Sequence, residues 1–342
     1  ALARSGAHDP SAACETVGAM RTSRILALAV VVSGLTVAPA HAAGETCRGQ
    51  AATMVGEPAG TVTGSDGDDV IVTNGASTTD AGAGDDIVCV TGGYAYLVDA
   101  GDGDDVVDTT ALTHRRDEAR VVLGAGRDTF VGGNGRDTVT TGTDVGVAGD
   151  RRDDADLDHV ETGRGHDWVF SGESLVPNHD DVDLGGGNDH LHLRSDHNDG
   201  ILDGGPAKNY VLLDLSAGTW VVDDETDEIR QDGVPVSHWS ALGVASIDGG
   251  RDVDVRYLGS ARDDYLHVTT GLTGADLGAG DDLLLFSLGR SVAQHVAGGP
   301  GHDSLEAFAA ASIDLDLRRH RLGLAADGDG YRVSGFEYYR VA

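Results

Sequence analysis

The sequence predicts an all-β chain: a parallel β-solenoid, or β-roll, with cation-holding acidic turns, in two blocks separated by a non-repeat β segment. Three observations predict it. Gly-x-Gly-x-Asp occurs eight times, at Gly82–Asp86, Gly101–Asp105, Gly124–Asp128, Gly133–Asp137, Gly163–Asp167, Gly185–Asp189, Gly278–Asp282 and Gly299–Asp303. Most copies run into a short strand-forming stretch, such as Ile87-Val88-Cys89, Thr129-Phe130-Val131, Trp168-Val169-Phe170 or Leu283-Leu284-Leu285. The 342 residues include 51 Gly and only 5% aromatics, and 57 acids of which ten are Glu, leaving 47 Asp. Asp is poor in helices and good in turns, so this bias describes acidic turns rather than charged helices. Scarce aromatics suit a thin core of stacked aliphatics rather than one large globular centre.

In chain order, residues 1–42 read as upstream sequence plus a secretory leader. Met20, Arg21 and Arg24 precede an apolar run, Ile25 to Ala38, that is too short to span a bilayer. Ala40-His41-Ala42 supplies a small-x-small cleavage site, so the mature chain is expected to start near Ala43 and to be secreted, extracellular and free of membrane spans. Residues 43–60 read as an N-terminal cap. Within the mature part, Cys47 and Cys89 make an even pair. In an oxidising compartment they would form a disulfide tying that cap to the second acidic turn; otherwise they are two small buried thiols.

The first repeat block covers 61–206. On a nine-residue template, Gly-Gly-x-Gly-x-Asp-x-apolar-x, the fourth position falls at Gly67, Gly84, Gly103, Gly126, Gly135, Gly165 and Gly187. The first steps are 17, 19 and 23 residues, close to two template units per coil. Units between the markers, such as Thr73 to Asp80, have lost the acids, which predicts one metal-binding edge and one degenerate edge. Glycine at the marker allows positive φ and lets turn carbonyls point inward. Residues 207–248 break the pattern and read as a spacer or cap of alternating strands, Val211 to Leu215 and Trp239 to Leu242. The second block, 249–310, carries markers at Arg262, Gly280 and Gly301, and 311–342 reads as a second cap-like β segment. Arg262 stands where glycine is expected, and Gly204-Gly205-Pro206-Ala207-Lys208-Asn209 replaces Asp by Asn, so the cation row is expected to weaken around residues 200–255.

These repeats resemble the RTX family, the haemolysin-type calcium-binding nonapeptide repeat proteins, over most of Gly64 to Asp189 and Gly249 to Asp303. The leader followed by Cys47 to Gly56 is similar to secreted actinobacterial members that consist of little besides repeats. The resemblance implies a right-handed roll with several Ca²⁺ ions between successive turns. The carboxylates it implies are Asp86, Asp105, Asp128, Asp137, Asp167, Asp189, Asp282 and Asp303, with Asp69 and Asp264 as near matches. Chemistry agrees with that reading: Ca²⁺ takes six to eight hard oxygens, which stacked carbonyl-rich turns and Asp can supply. The alternative is a metal-free turn in which Asp caps the backbone.

Net charge is −33, with a single lysine, Lys208, which excludes nucleic acid and anionic membranes as partners. The expected function is a secreted calcium-binding repeat protein with a structural or adhesive role toward a cell-surface or matrix component. Catalysis is not expected: His-Glu-x-x-His and Gly-x-Ser-x-Gly are absent from the sequence. The alternative is an extracellular polysaccharide-acting enzyme built on a β-solenoid. His190-x-His192 reads either as a transition-metal pair or as solvent-facing strand residues.

Overall fold

The computed structural model describes residues 44–92, 96–143, 155–173, 176–250, 252–287, 295–308, 313–316, 321–324 and 330–341. The leader expectation for 1–42 lies outside them. Every element is a strand, and no helix among the described residues is long and apolar enough to cross a membrane. Strands stack in parallel into a β-solenoid. A 13-stranded sheet runs from Thr61–Ser65 to Tyr338–Val341. Its companion is an 8-stranded sheet from Met54–Val55 to Leu202–Asp203, and later a 9-stranded sheet.

The core follows from alternation. Strands three residues long place only their middle side chain inward, so like positions stack coil on coil. In the 8-stranded sheet Ile71, Val88, Val107, Phe130, Val160, Val182 and Leu202 lie in one hydrogen-bonded register, all buried. In the long sheet Val98, Val121, Val139, Val169, Leu191 and Val211 form the facing row. A parallel sheet buried by such rows needs only aliphatics of even size, which is why so few aromatics suffice.

Between the two repeat blocks the coil continues. Asn209–Leu215 and Leu242–Gly249 are both strands of the long sheet, paired with each other through a bulge at Val211/Leu212. The same segment also projects an antiparallel ribbon, Gly218–Asp223, Glu228–Gln231 and Val234–His238, into the 9-stranded sheet. At the chain's end Ile313–Asp316, Arg321–Leu324 and Gly330–Ser334 pair antiparallel, while Tyr338–Val341 lies parallel to Ser304–Phe308. At the start Cys47 and Cys89 form a disulfide across 42 positions, fastening the first hairpin to the third strand of the 8-stranded sheet, Ile87–Cys89.

Candidate metal centre

The repeated aspartates do not occupy a single edge. Asp69, Asp86, Asp105 and Asp128 lie in turns that leave the long sheet and enter the 8-stranded one. Asp137, Asp167 and Asp189 lie in turns that run the opposite way, into the long sheet, as do Asp264, Asp282 and Asp303. The expectation of one acidic and one degenerate edge is therefore corrected. The nine-residue step from Gly126 to Gly135 is half a coil, and it carries the motif from one edge to the other.

Within each edge the aspartates form a ladder. The backbone N–H of Asp86 donates to Asp105 Oδ1 at 2.8 Å, and that of Asp105 to Asp128 Oδ1 at 2.8 Å. Asp69 N–H begins this row by donating to Asp86 Oδ1 at 2.7 Å. On the second edge Asp137 N–H donates to Asp167, and Asp167 N–H to Asp189, each at 2.8 Å. In the last stretch Asp264 N–H donates to Asp282 at 2.8 Å and Asp282 N–H to Asp303 at 3.0 Å. The carboxylates of Asp86, Asp105, Asp128, Asp167, Asp189, Asp282 and Asp303 thus fold inside the solenoid and close the turn of the coil before them.

Past the head of each row one carboxylate oxygen is engaged in this way and the other is not; Asp137, which heads the second row, instead accepts from the Thr109 hydroxyl at Oδ2, 3.2 Å. Asp86, Asp105, Asp167, Asp189, Asp282 and Asp303 each hold a buried Oδ2 without a hydrogen-bond partner, and Asp137 a buried Oδ1. Desolvation dominates the ionisation of these groups, because burial penalises the charged form. It pushes the carboxyls of Asp105, Asp137 and Asp167 up to about 7, and those of Asp86 and Asp282 to about 6. Asp189 and Asp303 are also raised by burial.

The turn around each carboxylate is built from backbone. Gly103 has φ +145°, and a β-carbon there would stand 2.2 Å from the carbonyl oxygen of Gly84 one coil away. At Gly165 a β-carbon would meet Gly135 O at 2.2 Å and Asp167 Oδ1 at 2.3 Å. Glycine at the marker therefore leaves room for the carboxylate of its own turn and for the stacked carbonyls. Gly84, Gly126, Gly187, Gly280 and Gly301 are crowded by backbone of the preceding coil in the same way, whereas Gly67, in the first acidic turn, faces open space. Among the described residues no three His, Cys, Asp or Glu side chains converge, so any cation held here would draw most of its ligands from turn carbonyls.

Where a turn departs from the template, the second oxygen acquires a protein partner. Asn209 continues the second row, its Oδ1 accepting from Asp189 N–H at 2.8 Å, and its Nδ2 donates to the carbonyl of Gly204. Asp69 and Asp264 have serine two positions into the turn. Ser65 N and Oγ donate to Asp69 Oδ2, both at 2.9 Å, and Thr53 Oγ1 donates to Oδ1 at 3.0 Å. Ser260 does the same for Asp264, its N–H donating to Oδ2 at 3.0 Å. Arg262, in place of a marker glycine, sends Nη2 to Asp224 Oδ2 at 3.4 Å and to Leu242 O at 3.3 Å. Asp224 is buried and raised to about 7, chiefly by burial, and the guanidinium supplies a fixed positive charge beside it.

Two further rungs lack the Gly-x-Gly-x-Asp motif. Asp158 Oδ1 accepts from Asp128 N–H at 2.8 Å, and Asp180 Oδ1 from Asp158 N–H at 3.2 Å, extending the first row. Only the template's tail marks them: Asp158-His159-Val160-Glu161 and Asp180-Asp181-Val182-Asp183 keep Asp-x-apolar-x without the glycines. Asp180 is closed by hydroxyls, Thr141 at 2.8 Å and Ser171 at 2.7 Å. The histidine pair sits on the outer face of the long sheet. His190 stacks on Trp168 at 4.2 Å, and His192 Nε2 lies 3.0 Å from Asp214. No protein-family model, curated protein or solved structure matches the chain.

Proposed function

We propose that the buried aspartate rows bind several Ca²⁺ ions and that the chain is a secreted, non-catalytic repeat protein ordered by them, with a structural or adhesive extracellular role. One observation supports this above the rest: a carboxylate oxygen left without a partner in turn after turn, against Asn209, whose nitrogen at the same position donates to a carbonyl. An atom that donates to carbonyls in the Asn turn is replaced in the Asp turns by an oxygen that cannot. A cation reconciles a carboxylate oxygen with carbonyl oxygens; a neutral turn has no use for one. The donor set is oxygen only, which suits calcium over the softer metals that select His or Cys.

In this reading Asp86, Asp105, Asp137, Asp167, Asp189, Asp282 and Asp303 hold the ions together with carbonyls of their turns. Asp69 and Asp264, closed by serine, cap the rows. Calcium would neutralise carboxylates that burial destabilises, so binding energy becomes folding energy. Glycine-rich backbone with unneutralised acid rows has little to offset its ordering entropy. Titrating calcium into the metal-depleted mature chain, by calorimetry and circular dichroism together, tests this. Uptake of several ions with a gain in strand signal is expected. No uptake, or full strand content in chelator at neutral pH, would remove the proposal.

A further inference from the structure

The two edges differ in what they show to solvent. On the first, the fifth template position carries Asp68, Asp85 and Asp104, with Arg127 following and paired to Asp104 at 2.6 Å. On the second, the equivalent positions of the first block carry Arg136, His166 and Asn188. No acid stands at these three rim positions; acids return further along the edge, at Asp263 and Asp281. Two of the three, Arg136 and His166, line a cavity of about 420 Å³ together with Arg115 and Arg164, and it extends over the stacked turns as far as Gly186 and Gly187. Arg164 pairs its backbone with Gly186, which sets two stacked turns of the floor in register.

Charge makes the pocket unusual. The chain carries −33 overall, yet three arginines and a histidine converge here. Arg136 is engaged with Glu118 at 3.3 Å, but Arg115 and Arg164 have no ion-pair or hydrogen-bond partner for their side chains among the described residues. Free guanidinium groups recognise oxyanions through paired N–H donors. Asn134 and Thr113 add neutral polar groups to the lining. The volume falls within the range of small-ligand sites, about 300–1,000 Å³.

A second feature adjoins it. Trp168 follows directly on the His166-Asp167 turn, and its ring stacks on His190 at 4.2 Å with 9° between planes. His190 in turn lies 5.6 Å from Tyr210. These rings lie on the outward face of the long sheet, since Val169 and Leu191 between them point into the core. The stacked rings turn their C–H edges outward, so the cationic pocket adjoins a strip of apolar aromatic edge, which suits a ring with an apolar side and an anionic substituent nearby. A chain of net charge −33 would repel a long polyanion, so the pocket suits a short acidic segment.

We propose that the Arg115–Arg136–Arg164–His166 pocket and the adjoining Trp168–His190 platform bind an acidic oligosaccharide, a sugar chain bearing carboxylate or sulfate groups. This goes beyond the calcium reading and depends only on the stacked turns. The probe is a galacturonate hexamer, titrated into the calcium-loaded mature chain at fixed free Ca²⁺ by calorimetry and by Trp fluorescence. Parallel arms use inorganic sulfate and a neutral maltohexaose. Arg115→Ala/Arg164→Ala, a variant that removes no side-chain ion pair or hydrogen bond among the described residues, is expected to weaken binding at least tenfold at unchanged circular dichroism. Trp168→Ala is expected to weaken the saccharide several-fold and leave any sulfate binding untouched.

Saccharide binding weakened in both variants by those factors, with neutral sugar inert, supports the site. Sulfate binding as tight as the hexamer, insensitive to Trp168, reduces it to an adventitious ion only and overturns the saccharide assignment. Absence of hexamer binding to a strand-rich, calcium-loaded chain overturns it outright while leaving the calcium reading intact. Binding that survives in a chain shown to take up no calcium separates the two the other way.

Discussion

Where the buried rows take up calcium as proposed, protons should compete with it, and burial sets the direction. Burial raises the carboxyls of Asp137 and Asp167 from 3.8 to about 7. A carboxyl whose pKa is higher in the folded chain holds its proton better there, so folding gains stability as pH falls from about 7 toward 4. Above 7 both groups are ionised, and without a cation that stabilisation is gone. At about 1.4 kcal/mol per pKa unit, each group accounts for about 4 kcal/mol, an upper figure because neighbouring rungs titrate together. Two groups reach about 8 kcal/mol, inside the whole stability of a typical domain, about 5–15 kcal/mol. The metal-depleted chain is therefore expected to be unfolded at pH 8 and to regain strand structure between pH 7 and pH 5. Calcium affinity runs the other way, falling about tenfold per pH unit below 7 for each carboxylate that must lose its proton. The assay is far-UV circular dichroism in calcium-depleted buffer from pH 8 to pH 5, with calcium titrations at pH 7.5 and pH 6. Asp137→Asn/Asp167→Asn controls for the general loss of negative charge and should flatten the profile. Equal strand content at pH 8 and pH 5 without metal, or a calcium affinity indifferent to pH, refutes the reasoning.

Single positions carry further expectations. Asp167→Asn should place an amide where Asn209 already has one, lowering calcium stoichiometry while stabilising the metal-free chain, as read by calorimetry and thermal melting. Arg262→Gly removes the fixed cation beside buried Asp224 and should cost about 2–4 kcal/mol without calcium, partly recovered when calcium is added. Gly165→Ala drives a β-carbon against Gly135 O and the Asp167 carboxylate, so a loss of about 3 kcal/mol or more is expected in denaturant melts. Reducing Cys47–Cys89, whose ends are 42 positions apart, should lower stability by about 4 kcal/mol at saturating calcium.

Much of this architecture was legible because each rule is local. A glycine turn, an aspartate and a three-residue apolar strand read off one after another, and Ile71, Val88 and Val107 stack where the template puts its apolar position. Edge assignment was less legible. It depends on counting half-coils, and irregular steps such as that from Gly135 to Gly165 blur the count. Asp158 and Asp180 were missed for a related reason: their turns keep the ladder contact without the glycines, so only the aspartate and strand tail carry the signal. The basic pocket could not be read at all. Arg115, Arg136 and Arg164 are far apart in sequence and meet only because the turns stack.

The departures from the repeat make more physical sense than the repeat alone suggests. A buried carboxylate in a carbonyl-lined turn can be satisfied in four ways, and this chain contains protein examples of three. Hydroxyls close Asp69, Asp264 and Asp180; an amide stands in at Asn209; a guanidinium accompanies Asp224. These substitutions gather at row ends and at the junction between blocks, where a stacked neighbour is missing or irregular. The other turns lean on them less: a Thr109 hydroxyl donates to Asp137 Oδ2 at 3.2 Å, yet Asp137, Asp167 and Asp189 each keep a buried oxygen without a partner. A chain selecting only for a stable turn would have spread the self-sufficient versions throughout. In the calcium reading, keeping the unpartnered carboxylate where two full turns face each other makes stability conditional on something outside the chain. That conditionality is what the pH experiment measures, and in the calcium reading it lets the fold assemble only where the ion is abundant.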